Sequence, residues 1–492
     1  MALRTLFAPF RSLSKGGTPL FFYNTLRKEK QLFEPVAHAK EVRMYNCGPT
    51  VYDTSHIGNL RSYVFADIVR RTLEYNGLRV KQVINITDFG HLSSDADAGD
   101  DKMSAALKRA GLELTLENMH ELAEKYTAQF LEDLQRLNID TSRIEFPRAS
   151  SYISGEIALI QTLEEKGYTY RGASGVYFDT TRFPDYGKLG DIRLAGLKEG
   201  ARVAPAEDKR TATDFLLWKS DSSIGWESPW GLGFPGWHIE CSAMIRATLG
   251  TQIDIHTGGI DLMPTHHNNE IAQSESATGK RPLARFWLHH EFLNLTGAKI
   301  SKSAGNMINL SELISRGYDP LSYRYFLLGA HYRTPVNFTW DALQAAQNAY
   351  QNLLQRAKDL EQTESGAVPP KYEKRFRERI NDDLDTAGTL AILWEMIKDP
   401  ELSREDITAG LLDFDRVLGL ALGTSVRRNI NITLREAIAM SDLPADIRTL
   451  IREREEARTN KDWSRADELR KALADKGYSL EDSASGARIF KQ

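Results

Sequence analysis

The chain of 492 residues contains two cysteines. Together with two other side chains they could form a metal site, and this is the strongest chemical signal in the sequence. Cys47 follows a predicted strand, and Cys241 lies some 190 residues later. His266 and Glu270 are four residues apart, so on a helix they share one face. Two thiolates, one imidazole and one carboxylate form a tetrahedral set that favours zinc over harder cations. Spacing alone leaves open that each cysteine is a small buried apolar residue.

Two further segments are suited to phosphate. His56, Ile57, Gly58 and Asn59 open a predicted helix. A helix N-terminus offers unpaired N–H groups, glycine permits close backbone approach, and a histidine can donate to a phosphate oxygen. Residues 299–306 form a loop of small residues with Lys299 and Lys302, which could close over a triphosphate and offset charge on a leaving pyrophosphate. A plain helix entry and a solvated surface turn are the alternatives for these two segments.

The elements that position these residues follow from apolar periodicity. Residues 42–46 and 80–86 read as strands, and residues 60–75 as the helix between them, ending near Asn76 and Gly77. This βαβ unit predicts a parallel, nucleotide-binding sheet. Two helical stripes follow, before sheet patterning returns at 252–256 and 285–295, which indicates an insertion. Apolar spacing beyond Thr339 predicts a helical bundle, and residues 447–476 a charged helical pair followed by a short tail.

Composition limits the class of protein. A net charge of -4 gives no global signal for nucleic acid, and no apolar run approaches the roughly 18 residues of a membrane span. Two cysteines leave no disulfide framework, which fits a reducing compartment. We therefore expect a cytoplasmic protein without a membrane partner. The acid-free stretch before Glu29 resembles a transit peptide, so a mitochondrial or other organellar location is the alternative.

The motifs occur together in an arrangement that resembles class I aminoacyl-tRNA synthetases. The His-Ile-Gly-Asn and Lys-Ile-Ser-Lys-Ser segments resemble the two signatures of that class, and residues 45–53, 85–88, 236–244 and 266–273 resemble cysteinyl-tRNA synthetases in particular. The resemblance covers nearly the whole chain from about Leu20. It implies an α/β fold: a Rossmann-type parallel nucleotide-binding sheet with an inserted connective domain, followed by an α-helical bundle and a small C-terminal anticodon-binding module.

The resemblance also implies domain limits. Residues 1–18 would be an N-terminal extension, and residues 19–310 the catalytic domain, with the connective insertion at about 115–225. Residues 311–338 would contact the tRNA stem, residues 339–430 would form the bundle, and residues 431–492 the anticodon-binding module. We expect a monomer.

By the same resemblance, the protein would be a cysteine–tRNA ligase that activates L-cysteine with ATP, releases pyrophosphate and esterifies tRNA(Cys). One zinc ion per chain, held by Cys47, Cys241, His266 and Glu270, would select the substrate thiol, and Mg²⁺ would accompany ATP. The residues carried over for cysteine are Thr87, Trp237, His256 and Asp261. Those carried over for ATP are His56, Gly58, Asn59 and Lys302, and those for catalysis are His56, Lys299 and Lys302.

Four positions depart from the family pattern. Asn59 replaces a second histidine of the class signature, Ile300 replaces a methionine, and Thr265 and Asn268 alter the surroundings of the histidine ligand. A ligase of the same fold that joins cysteine to an amino sugar would share the adenylate step and the zinc, but would lack the tRNA-binding end that follows the lysine loop here. A non-catalytic tRNA-binding paralogue with a structural zinc is the other alternative.

Overall fold

The structure is a computed structural model that describes residues 17–35, 41–90, 102–190, 208–295, 298–299, 307–360, 366–423, 438, 440–460, 462–483 and 486–491. Within those ranges, no helix combines the length and apolar character needed to cross a membrane. Most of the predicted N-terminal extension, and both Ile300 and Lys302, lie outside the described residues.

The N-terminal part contains the βαβ unit that the periodicity predicts. Its helix buries Leu60, Val64, Ile68 and Leu73, so the predicted apolar face is confirmed. The helix begins three residues earlier than predicted, because His56 and Asn59 cap its first turn. The elements here are β1 (Phe21–Asn24), β2 (Glu29–Leu32), β3 (Glu41–Asn46), α1 (Ile57–Tyr75) and β4 (Arg79–Ile84).

The segment predicted as the insertion, at about 115–225, contributes to two sheets. Strand β5 pairs in parallel with β4 and belongs to the central sheet, whereas a four-stranded antiparallel sheet of order β6-β7-β8-β9 runs on to Pro235. A strand of two residues is too short to produce an alternating pattern in the sequence. The elements are α2 (Lys102–Ala110), α3 (Leu116–Arg136), β5 (Ile144–Glu145), α4 (Ile153–Glu165), β6 (Thr169–Gly172), β7 (Gly175–Phe178), β8 (Phe215–Ser220) and β9 (Gly233–Pro235).

The second half of the parallel sheet follows the insertion. The complete sheet has the order β11-β10-β3-β4-β5, and every described pairing in it is parallel. The chain therefore moves outward from β3 in one direction and then returns to add β10 on its other side. Ligands usually bind at such a switch point, outside the carboxyl ends of the strands. The elements are α5 (Trp237–Thr248), β10 (Ile253–Gly259), α6 (Asn268–Thr278) and β11 (Ala284–His290).

A small three-stranded sheet connects this domain to the bundle. The predicted strand at 285–295 is in fact two strands in two sheets, since β12 pairs with β13 and β14 rather than with β10. The stem contact predicted for residues 311–338 remains a prediction. The elements are β12 (Leu293–Leu295), β13 (Ala298–Lys299), α7 (Leu310–Ser315), α8 (Pro320–Leu328) and β14 (Val336–Phe338).

Helices dominate the remainder of the chain, as predicted. The stripe of α9 is buried from Leu343 to Leu360, and the bundle shares one apolar core with the outer side of the parallel sheet. At the C-terminus, the predicted helical pair is confirmed, but the expected short tail is an antiparallel hairpin. The elements are α9 (Trp340–Asp359), α10 (Pro370–Ile380), α11 (Thr386–Ile397), α12 (Arg404–Leu418), α13 (Ala445–Thr459), α14 (Trp463–Asp475), β15 (Tyr478–Ser483) and β16 (Gly486–Lys491).

A buried ion pair ties the bundle to the helix that carries the phosphate motif. Arg324 of α8 is fully buried, and its Nη2 lies 2.6 Å from Oδ2 of Asp67 on α1. The same guanidinium donates to the carbonyl of Leu418 at 2.8 Å and to that of Leu137 at 3.0 Å. Because a buried charge needs both a counter-charge and hydrogen bonds, this arrangement fixes α1 relative to the end of α12.

Candidate functional site

Four predicted metal ligands meet at the switch point of the sheet. Cys47 follows β3 directly, Cys241 lies in α5, and Glu270 lies in α6. One ligand atom from each of Cys47, Cys241, His266 and Glu270 lies within 4.8 Å of all the others. The donor set is thus two sulfurs, one imidazole nitrogen and one carboxylate oxygen, as the sequence predicted.

The turn that presents Cys47 depends on a glycine. The N–H of Gly48 donates to Oδ1 of Asn85 at 2.7 Å, which holds the turn against the end of β4. A Cβ at position 48 would lie 1.6 Å from the backbone oxygen of Asn85. No side chain can occupy that space without moving one of the two chains, so glycine is required here.

His266 and Glu270 share one face, as predicted, although the segment is not a plain α-helix. Residues Met263–His267 form a π-helical turn that continues into α6, and such turns are frequent at functional sites. Nε2 of His266 lies 3.0 Å from Oε1 of Glu270. His267 also points into the cluster, with its Nε2 3.3 Å from Sγ of Cys47.

The two thiols of the cluster have different pKa values. The hydrogen bond with Cys47 lowers the pKa of Cys241 to about 6 against the effect of burial. Burial and that same hydrogen bond raise the pKa of Cys47 well above its ordinary value. One sulfur is therefore a thiolate near neutral pH, and the other keeps its proton.

The carboxylate and the histidine of the set form a charged pair. Burial would raise the pKa of Glu270, but His256 and His266 lower it to about 2. Burial would lower the pKa of His266, but Cys241 and Glu270 raise it to about 10. At neutral pH the site thus holds a negatively charged sulfur and carboxylate beside a positively charged His266 ring.

Sequence reasoning missed the histidines that orient the ligand rings. Nδ1 of His266 lies 2.8 Å from Nδ1 of His238, and Nδ1 of His267 lies 2.7 Å from Nε2 of His289. Metal-binding histidines usually have their second nitrogen held in this way. The sequence contained a hint, because His238 lies in the same segment as Cys241 and His267 is adjacent to His266. It did not show which histidines bind the metal and which ones orient a ligand ring.

Three of the four predicted cysteine-pocket residues surround the metal set. The ring of Trp237 lies 4.5 Å from that of His266, and Nε2 of His256 lies 2.8 Å from Oε2 of Glu270. Thr87 is buried and donates to Oε2 of Glu240 at 2.8 Å, next to Cys241. Asp261 is exposed beyond the end of β10, in the turn Ile260–Leu262.

The phosphate motif lies at the same edge of the sheet. Nδ1 of His56 accepts from the backbone N–H of Asn59 at 3.1 Å, and Oδ1 of Asn59 accepts from the N–H of His56 at 3.3 Å. This capping box leaves Gly58 inside the first turn of α1. Asn59, the departure from the class signature, therefore has a structural role in the cap.

The chain that follows the lysine loop contacts this motif. Lys299 pairs with Asn294 at the end of β13, and beyond residue 306 Asn309 forms a bridge with His56. The N–H of Ile57 donates to the carbonyl of Ile308 at 2.8 Å. Lys302 lies outside the described residues.

Two protein-family models match the chain. Residues 33–348 match the model of the class I (C) tRNA synthetase catalytic domain, and residues 440–489 match that of the cysteinyl-tRNA ligase anticodon binding domain. The structure of methionyl-tRNA synthetase from Mycobacterium tuberculosis bound by methionyl-adenylate has a similar fold. Its TM-score is 0.54 at 15% identity, covering 79% of this chain and 92% of that one.

Full-length relatives are similar over nearly the whole chain. The cysteine–tRNA ligase 1 of Burkholderia lata is 45% identical, over 96% of this chain and 97% of the relative. The cysteine–tRNA ligase of Treponema denticola is 41% identical, over 94% of this chain and 98% of the relative. On the strength of these matches, the chain belongs to the cysteinyl-tRNA synthetase family of class I aminoacyl-tRNA synthetases.

Proposed function

We propose that the protein is a ligase that activates L-cysteine with ATP and transfers it to the 3′ end of tRNA(Cys), with a zinc ion selecting the thiol. The single observation that carries the proposal is the convergence of two sulfurs, one imidazole and one carboxylate within 4.8 Å at the switch point of the sheet. The match of residues 440–489 to an anticodon-binding domain favours tRNA over an amino sugar as the acceptor.

The donor set fits zinc. Two thiolates with one imidazole and one carboxylate suit a borderline-soft ion, whereas Mg²⁺ and Ca²⁺ prefer oxygen ligands alone. Zinc bound there would supply a Lewis acid that accepts a substrate thiolate well and a serine hydroxyl poorly, so it discriminates between side chains of similar volume. His238 would hold the ring of His266 in the orientation that such binding requires.

The tautomer of His56 follows from its cap. Because Nδ1 accepts from the N–H of Asn59, the neutral ring has its proton on Nε2. That atom would donate to a phosphate oxygen of ATP at the N-terminus of α1, where the helix dipole also favours an anion. Lys299 and Lys302 would offset charge on the departing pyrophosphate, and Mg²⁺ would accompany the nucleotide.

The two steps use these groups in turn. An oxygen of the cysteine carboxylate attacks the α-phosphorus of ATP, the bond to the β-phosphate oxygen breaks, and pyrophosphate leaves. A hydroxyl of the terminal adenosine of tRNA(Cys) then attacks the carbonyl carbon of the adenylate, and AMP leaves. We propose that a single chain carries both steps.

Exchange of labelled pyrophosphate into ATP tests the first step. We expect exchange that depends on cysteine, with serine a very poor substitute, and loss of exchange when Cys241→Ala removes a zinc ligand. The matched control is Ser242→Ala, which changes a neighbouring buried side chain of α5 outside the donor set. Charging of tRNA(Cys) tests the second step. Exchange that persists in zinc-free protein would refute the role of the metal, and ligation of an amino sugar without tRNA charging would refute the acceptor.

A further inference from the structure

The metal cluster contains a second set of four donors, which shares two residues with the proposed zinc site. One ligand atom from each of Cys47, His256, His267 and Glu270 lies within 4.8 Å of all the others. The three residues other than Cys47 are fully buried. This set shares Cys47 and Glu270 with the first, and replaces Cys241 and His266 with two different imidazoles.

The shared carboxylate is oriented to bridge two positions. Oε1 of Glu270 lies 3.0 Å from Nε2 of His266, while Oε2 lies 2.8 Å from Nε2 of His256. The two oxygens therefore face different histidines, one from each donor set. A carboxylate that presents one oxygen to each of two groups is the usual arrangement between two adjacent metal ions.

The sulfur of Cys47, which both sets share, also lies between groups of the two sets. Sγ of Cys47 lies 3.6 Å from Oε1 of Glu270, on the side of the first set, and 3.3 Å from Nε2 of His267, on the side of the second. A thiolate has more than one lone pair and can bind two soft or borderline ions at once. Cys47 and Glu270 thus supply two anionic bridges between the same two positions.

The two histidines of the second set are held in different ways. Nδ1 of His267 lies 2.7 Å from Nε2 of His289, whose Nδ1 lies 3.0 Å from Oγ1 of Thr25. The ring of His256 stacks on Trp287 with the ring centres 4.3 Å apart, and its Nδ1 is buried without a hydrogen bond among the described residues. Both Nε2 atoms are directed at the shared donors, and His267 has the hydrogen-bonded second nitrogen that is usual for a metal ligand.

We propose that the cluster binds a second divalent ion of the zinc class, held by Cys47, His256, His267 and Glu270 and bridged to the first ion by the Cys47 sulfur and the Glu270 carboxylate. The proposal rests on the proposed function in one respect, since the first ion occupies the zinc site. With one divalent ion, the two thiolates and one carboxylate leave a net charge of -1, and a second ion changes this to +1. The buried site is therefore no more highly charged with two ions than with one.

The second ion binds more weakly than the first. Its two anionic ligands are shared, and its other two ligands are neutral imidazoles, whereas the first ion also has the thiolate of Cys241 to itself. His256 is also among the residues expected to contact the substrate cysteine. Occupation of the second position therefore makes the enzyme sensitive to excess metal.

Titration of metal-free protein with Co²⁺ tests the proposal without measuring activity. We expect two ions per chain, with the first giving the thiolate-to-metal absorption of a two-sulfur site. Binding of the second should reduce the electron paramagnetic resonance signal per cobalt, because bridged ions couple. His267→Gln and His256→Gln should each bind one ion with the absorption of the first unchanged. The control is His120→Gln, which changes an exposed histidine and should still bind two.

A substitution outside both donor sets gives a graded test. His289→Phe removes the support of His267, and we expect it to weaken binding of the second ion by about 10- to 100-fold while the affinity for the first is unchanged. A wild-type protein that takes up one ion in excess metal would overturn the proposal, as would a second ion retained by both His267→Gln and His256→Gln. Loss of the first ion, or exchange independent of cysteine, would instead refute the proposed function.

Discussion

The role of His238 gives the sharpest test of how the metal site is organised. His238 and His266 are both buried, and their Nδ1 atoms are 2.8 Å apart. His238→Phe keeps an aromatic ring of similar size at this position and removes its hydrogen bond. The four proposed zinc ligands themselves are unchanged.

The size of the effect follows from this one contact. Loss of the partner leaves a buried ring nitrogen without its hydrogen bond and allows the ligand ring to rotate, and comparable substitutions weaken metal binding by about 10- to 100-fold. At about 1.4 kcal/mol per tenfold change, this corresponds to roughly 1.4–2.8 kcal/mol of binding free energy. Removal of a ligand, by contrast, should abolish tight binding.

Competition with a chelator of known affinity measures the zinc dissociation constant directly. His120→Phe is the matched control, because His120 is exposed and its described ion-pair partner, Glu124, is distant in sequence from the cluster. In saturating zinc, His238→Phe should regain most of its cysteine-dependent pyrophosphate exchange, which a variant of a catalytic group would not. An unchanged dissociation constant, or a loss of exchange that zinc does not restore, would refute the assignment of His238 as support for the ligand.

Three further substitutions test the turn at Gly48, the buried carboxyl of Asp133, and the contact of Arg324 with helix α1. Gly48→Ala should abolish tight zinc binding with little change in circular dichroism, because its Cβ would lie 1.6 Å from the oxygen of Asn85. Burial raises the pKa of Asp133 to about 7 from 3.8, so stability falls as pH rises between those values. Asp133→Asn should therefore stabilise the protein at pH 8 by no more than about 4 kcal/mol and have little effect below pH 4, in urea unfolding. Arg324→Met should destabilise by about 1–3 kcal/mol in the same assay, because Asp67 loses one of its three arginine partners and two buried carbonyls lose their donor. Equal stability of either variant and wild type at pH 8 would contradict the corresponding prediction.

The sequence predicted those parts of the fold that have a local pattern. The helix from residue 57 to residue 75 and the strands on either side of it have apolar residues at regular spacing, and the structure contains all three. Strand β5 has two residues, and its place in the parallel sheet comes from its pairing with Gln82 and Val83. A pattern of two residues cannot predict this pairing, because the pairing depends on contacts with a distant part of the chain.

The candidate site, like the fold, was only partly predictable from the sequence. Residue type and spacing were sufficient to propose Cys47, Cys241, His266 and Glu270, since the chemistry of zinc restricts which side chains can bind it. The supporting residues have no such restriction, because a histidine that orients another histidine looks in sequence like any buried polar residue. Only the tertiary contact distinguishes His289 from a core residue.

The substitution of Asn59 for a histidine illustrates how a departure from a motif can preserve its physical purpose. In the sequence it raises doubt about the nucleotide contacts. In the structure, its side chain accepts from the N–H of His56 while its own N–H donates to Nδ1 of that ring. The two hydrogen bonds fix both the start of the helix and the atom of His56 that has a proton to donate. A phosphate-binding helix needs a defined first turn and a donor in a fixed direction, and Asn59 provides both through its two hydrogen bonds with His56.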